Sequence, residues 1–441
     1  MKARLIVTTA VFALAALFCG AARATIVVTS ASGDKNVVGD CVLRDAITYA
    51  NTGVPTGGCG MPQIAPAPPQ PEGTTSPGYN EIVLPSAVTI TLAAIDDFDH
   101  ATGLPAIAVP VWIKGNGSVI ERDPALPCNH DGAATPGEFG LIYNASALKL
   151  EYLTLRGGCA DSSSGTGANG GAIHNVGQLL LDHVVLNGNF AYVGGGAVYS
   201  YGFAPGNGSV LLYASTFIDN SARSGGAAYL DTGASLLAND TLFEQNAAAE
   251  FFAAGALYVN IGATAAILNS TFAQNTAGSG SAIQADGFLD LSFVTVAENV
   301  AASGSGGAIQ IGANGPIQRL RIANSIFAAN TGGNGNCQFA SGTVTLSGAN
   351  LASDESCAGF DFAGSDAMLA PLANNGGATP TYALAPSSPA ADAAPGCTDA
   401  SGGAVTNDQR ERSRPQGSAC DLGAYELEDV VFDSDFEFQA L

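Results

Sequence analysis

Basic residues are scarce: Lys and Arg number 15 in 441 against 38 Asp and Glu, a formal net charge of −23. Such a surface repels phosphate backbones and anionic lipid, which excludes nucleic acid and membrane surfaces as partners. Beyond the first residues no apolar run reaches the ~18–20 residues of a membrane span, so no transmembrane segment is expected. No CxxC pair or Cys/His spacing suggests zinc, and the GGxGxD nonapeptide of calcium-binding β-rolls is missing. A surface this acidic still attracts divalent cations, which keeps calcium as the one candidate cofactor. There is a single Trp, whereas Gly reaches 56 residues. With abundant Ala, Asn, Ser and Thr, that composition favours an all-β solenoid with tight turns.

The start of the chain reads as an export signal. Lys2 and Arg4 precede the apolar run Leu5 to Leu17, and Ala22-Arg23-Ala24 supplies small residues for cleavage. Bulky Phe18 before Cys19 argues against a lipoprotein. Removing residues 1–24 leaves 12 basic against 38 acidic residues and eight cysteines. An even number suits an oxidising compartment. The sequence neighbours are Cys41 with Cys59, Cys128 with Cys159, Cys337 with Cys357 and Cys397 with Cys420. Neighbour pairing is the simplest of 105 connectivities.

Between about 165 and 335 the chain repeats itself. One signature is a Gly-Ala-apolar block at Gly171, Gly196, Gly226, Gly255 and Gly307, with Ser281-Ala282-Ile283 a degenerate copy. The other is an apolar residue followed three positions later by Asn: Leu186/Asn189, Phe217/Asn220, Phe243/Asn246, Phe272/Asn275, Val296/Asn299 and Phe327/Asn330. The Asn spacings of 31, 26, 29, 24 and 31 correspond to one coil of a β-helix each. Alternating runs such as Val210–Tyr213 read as strands, each pairing with its equivalent one coil away. The Asn series reads as a structural turn ladder and the Phe series as an inner column. Alignment also places His183, Asp240, Asn269 and Asn324 in one column suited to left-handed backbone.

The ends need caps, because an open β-helix exposes strand edges. Residues 41–51 put Leu43, Ala46, Ile47 and Ala50 on one helical face, with Asp40 placed to cap the start and Asn51-Thr52-Gly53 to stop it. The run Cys41-Val42-Leu43-Arg44-Asp45-Ala46 resembles the motif that names the CSLREA domain, with Val42 for Ser and Asp45 for Glu. The C-terminal part resembles the choice-of-anchor Q domain found in the same proteins. Its matching runs include Asn336-Cys337, Gly348 to Leu351, Asn374 to Gly377, Asp408-Gln409-Arg410, Arg414-Pro415 and Cys420 to Glu426. The resemblance implies a secreted or surface-displayed bacterial right-handed parallel β-helix, polymorphic outer-membrane-protein-like. It implies no catalytic residues.

The expected organisation is therefore a signal peptide (1–24), an N-terminal cap with first coils (25–130), β-helix repeats (131–335), a disulfide-stapled C-terminal domain (336–427) and an acidic tail (428–441). A stretch with six prolines at 60–79 reads as an exposed loop.

Two functional readings follow. Parallel β-helices host lyases and hydrolases, so a carbohydrate-active enzyme is the alternative. Leu181-Asp182-His183-Val184 superficially matches a pectate-lyase motif but lacks its Trp and its Arg partners; Arg223, Arg319 and Arg321 are the arginines available in the repeats. A hydrolase needs converging carboxylates, and the one adjacent pair ahead of the repeats is Asp96-Asp97. Asp219, Asp231, Asp286, Asp290 and Glu298 would have to meet across coils. His100, His130 and His174 show no catalytic or metal spacing. With those constellations missing, the favoured reading is a non-enzymatic, adhesin-like scaffold whose partner is a cell-surface or extracellular polysaccharide or protein.

Overall fold

The computed structural model describes residues 25–33, 39–60, 78–204, 206–249, 254–302, 306–312, 317–340 and 342–428. The expected signal peptide with Cys19, residues 61–77 of the proline-rich stretch and the tail from 429 lie outside these residues.

One coil shows how the sequence period becomes structure. Ile173–Asn175 forms a short strand, and Gly177 turns the chain into the strand Gln178–Asn187. That strand bends at His183 (φ 54°). A corner at Gly188-Asn189 leads into Phe190–Gly194, and Gly195-Gly196-Ala197 returns the chain to the next coil at Val198–Ser200. Glycine is required in this return: a Cβ on Gly196 would lie 2.2 Å from the Gly226 carbonyl oxygen.

Every registered strand pair is parallel, for instance Val198–Ser200 on Ile173–Asn175 and on Ala228–Leu230. Stacking yields three sheets: eight short strands from Ile142–Asn144 to Cys337–Phe339, seven very short ones from Cys159–Ala160 to Thr331–Gly332, and a bent sheet of 19 strands. The chain is thus a parallel β-solenoid. Coiling starts well before the legible repeats, since Thr25–Val27 already pairs with Asn80–Val83, and Asn80–Val83 with the strand Val111–Arg122. These first coils bury Ile82, Ile113 and Ile120 without using the Gly-Ala or Asn signatures.

Inside, like residues stack. Phe217, Phe243 and Phe272 lie 4.9 and 4.5 Å apart in near-parallel planes. Each buries enough area for about 2–3 kcal/mol. Val296 separates Phe272 from Phe327, which packs edge-on against Phe360 instead.

The Asn series forms a continuous buried ladder. The amide nitrogen of Asn189 donates to the side-chain oxygen of Asn220 (2.9 Å), Asn220 to Asn246 (3.0 Å), Asn246 to Asn275 (3.0 Å), Asn275 to Asn299 (2.8 Å) and Asn299 to Asn330 (2.9 Å). The same nitrogens donate to carbonyls one coil back, Asn246 to Phe217 and Asn275 to Phe243. The left-handed residue at this corner is the one before each Asn, such as Asp219, Gln245, Gln274 and Glu298. That conformation turns the Asn side chain inward.

At the N-terminal end, the helix Leu43–Thr52 (α1) packs Leu43, Ala46 and Ile47 onto the first coils. Asp40 does not cap it. The N-cap is Val42, with no side-chain bond, and the Asp40 carbonyl accepts the Gly58 N–H instead. Gly53 ends the helix in left-handed conformation (φ 71°). Disulfides join Cys41–Cys59, Cys128–Cys159, Cys337–Cys357 and Cys397–Cys420.

Past the last coil the chain reverses. Residues 364–426 run back as a roof over the bend of the long sheet. Asn324 donates to the carbonyls of Gly396 and Thr398, Asn269 to that of Asn407, and the Thr271 hydroxyl meets Gln409 at 2.7 Å. The roof ends at Tyr213, whose hydroxyl bonds Glu411.

Candidate functional site

In each strand of the eight-stranded sheet, the first and third residues enter the core and the middle one faces outward. The register therefore aligns Tyr143, His174, Tyr199, Tyr229, Tyr258, Gln284, Gln310 and Gln338 in one outer column. Six rings follow one another along it. His100 stacks on Tyr143 at 3.5 Å, and the spacings onward are 5.3, 4.9, 5.6 and 4.7 Å to Tyr258. His174, Tyr258 and Gln284 are buried in this column, and Tyr143, Tyr199 and Tyr229 keep part of their surface open.

A second column runs beside it, made by the residue after each strand: Asp231, Asn260 and Asp286. The Tyr199 hydroxyl donates to Asp231 at 2.6 Å, Asn260 to Asp231 at 2.8 Å and the Tyr258 hydroxyl to Asp286 at 2.9 Å. Burial, then the carboxylate of Asp231, raises the Tyr199 and Tyr229 phenols far above their ordinary value. They stay protonated as hydrogen-bond donors. The result is a linear rail of phenols, carboxylates and amides repeating at the coil rise of about 4.8 Å.

The acids singled out from sequence spread over three edges rather than converging. Asp231 and Asp286 belong to the rail. Asp290 on the long sheet holds Arg319 and Arg321. Asp219 and Glu298 sit at the corner before the Asn ladder, where Glu298 accepts from Tyr382 of the roof at 2.9 Å. Asp97 is engaged by His100 Nδ1 at 2.6 Å. Arg223 lies over the Tyr192 ring and His130 over Phe190.

Asp240 comes nearest to an acid–base group. Burial, then the carboxylates of Glu411 and Asp408, push it up to about 8. It is only 4% exposed beneath the roof, where Thr379 donates to its carbonyl, so no polymer reaches it. Among the described residues, one trio has metal-ligand spacing: Glu138, Cys159 and Asp161. Cys159 is oxidised in its disulfide. Both carboxylates accept backbone N–H groups, Glu138 from Asn129 and Thr135, Asp161 from Asp131 and Gly132. This pair clamps a loop.

The motif Asp408-Gln409-Arg410 … Arg414 … Glu426 is the internal tie of the roof. Arg414 donates to Glu426 at 2.6 Å and to the Asp421 and Gly423 carbonyls, and lies on the Phe293 ring. Arg410 donates to Asp408 at 2.9 Å and covers Tyr425.

The tyrosines of the rail escaped the sequence reading, although their signal was present. Each is the residue after a Gly-Ala-apolar block, as in Ala197-Val198-Tyr199 and Ala256-Leu257-Tyr258. No protein-family model and no curated protein matches this chain. Four disulfides, with no helix among the described residues long and apolar enough to cross a membrane, are compatible with an extracellular protein.

Proposed function

We propose that this is a non-enzymatic, adhesin-like extracellular scaffold that holds an extended polysaccharide along the half-buried Tyr199–Tyr229 stretch of the rail. The carrying observation is the rail itself: the half-buried phenols of Tyr199 and Tyr229 stand beside Asp231 and Asn260 at one coil spacing, and Tyr258 and Asp286 continue the column beneath the surface. That rise is close to the advance per sugar of an extended β-linked chain, so successive hydroxyls meet equivalent groups on successive coils. Many weak, repeated hydrogen bonds give avidity along a polymer without a deep pocket. Export by residues 1–24 and kinship with CSLREA and choice-of-anchor Q proteins belong to the same reading.

Affinity electrophoresis of the full, disulfide-bonded chain through gels containing neutral or acidic polysaccharides tests it. Retardation by at least one polymer is expected, with most of it lost in Tyr199→Ser/Tyr229→Ser while the melting temperature stays within a few degrees. Equal retardation of the variant, or none across the panel, would overturn the proposal.

A further inference from the structure

The bend of the long sheet forms a single column of left-handed residues: Tyr152, His183, Ala214, Asp240, Asn269, Phe293 and Asn324, with φ between 45° and 54°. Left-handed backbone is unfavourable for an ordinary L-residue, a cost that Asn and Asp partly recover through local hydrogen bonds. Asn269 and Asn324 use that allowance and bond to the roof. Phe293 offsets the cost by complete burial against Arg414. Tyr152 does neither: it is 51% exposed.

The surroundings of Tyr152 form a concave site. Three residues, Gly115 to Gly117, stand opposite Tyr152 alone, because the register slips between Lys114/Glu151 and Ser118/Leu153. This bulge widens the surface into a pocket of about 360 Å³, lined by Asn116, Tyr152, Thr154 and His183 among others. A volume of this order lies within the range of small-molecule sites. One face of the Tyr152 ring is backed by His183 at 4.6 Å, and Tyr213 meets His183 edge-on at 5.8 Å. Asp182 holds His183 Nδ1 at 2.8 Å. The acids nearby are balanced in part by Lys149, 3.6 Å from Asp182 and 3.7 Å from Glu151. The roof stops at Tyr213, one coil short, so the pocket stays open.

We propose that this pocket binds a single neutral hexopyranose unit, its axial C–H face against the Tyr152 ring and its hydroxyls bonded to His183 Nε2 and the Thr154 hydroxyl. The C–H face of a pyranose carries slight positive charge and suits the negative face of an aromatic ring. A neutral sugar also avoids the repulsion an anionic one meets from Asp182 and Glu151. The site lies on a different sheet from the rail and stands independently of it.

Saturation-transfer NMR on the full chain, with glucose, galactose, mannose and N-acetylglucosamine as separate probes, tests the proposal. At least one hexose should receive saturation on its axial C–H protons. In Tyr152→Asn its affinity should fall at least tenfold while the melting temperature holds or rises, because Asn suits the left-handed site. Tyr199→Ser/Tyr229→Ser should leave hexose binding unchanged, so failure of the rail and failure of the pocket are read separately. No saturation of any of the four hexoses, or undiminished binding by Tyr152→Asn, would overturn the assignment.

Discussion

The two halves of the bend column share one backbone conformation and differ in what covers them. From Tyr213 onward the roof lies over the column, and residues there satisfy it: Asn269 and Asn324 donate to roof carbonyls, and Phe293 supports Arg414. Before Tyr213 the column is open and carries Tyr152 and His183 instead. In a solenoid each coil repeats the same geometry, so side-chain choice at equivalent positions reports the local environment rather than the local fold. Where a covering segment exists, the residue is a connector. Where none exists, an exposed aromatic held against backbone preference is available for a ligand.

The largest effect should come from detaching the roof. Arg414→Met leaves Glu426 buried without its cation, which should cost about 3–5 kcal/mol in denaturant unfolding. Adding Glu426→Met should recover much of that loss, because the desolvated charge is then removed as a pair. No recovery would mean that the roof depends on packing rather than on this tie.

The inner ladder should follow. Asn246→Leu leaves the Phe217 carbonyl and the side chains of Asn220 and Asn275 each short of a partner, at about 1–3 kcal/mol per orphaned group. A loss as small as that of a surface Asn substitution would show that water enters the corner.

The covered half should also respond to pH. The folded-state value of Asp240, about 8, lies above its ordinary 3.8. The stability it contributes is thus full below about pH 4 and is lost as pH rises through 8. Asp240→Asn should therefore gain on the wild type between pH 5 and 8.5 in thermal melts. A constant difference across that window would contradict the shift.

The smallest effect concerns the open half. Tyr152→Asn should raise stability by up to about 1 kcal/mol, by relieving left-handed strain. A clear loss would mean that the ring contributes more packing than its exposure implies.

What could be read from the sequence was whatever repeats. Asn189 to Asn330 and the Gly-Ala blocks recur once per coil, so strand stacking, the Phe column and the suitability of Asp240 for a left-handed turn all followed from spacing. The rail was equally periodic but lies one residue beyond the block that marks each coil, where side chains face away from the core and need not be apolar. The roof has no period. Thr271 meets Gln409 across 138 residues, and a single sequence carries no trace of such a pairing. The raised value of Asp240 escaped for the same reason, since Glu411 and Asp408 arrive from the roof. The first coils were obscured because Ile82, Ile113 and Ile120 fill the core without either signature.

The most direct test of the scaffold reading is to incubate the full chain with each polysaccharide that retards it and count new chain ends against a heat-killed control. Retention with no new reducing or unsaturated ends is the expected result. Release of chain ends above the control would contradict the scaffold reading and identify a carbohydrate-active enzyme.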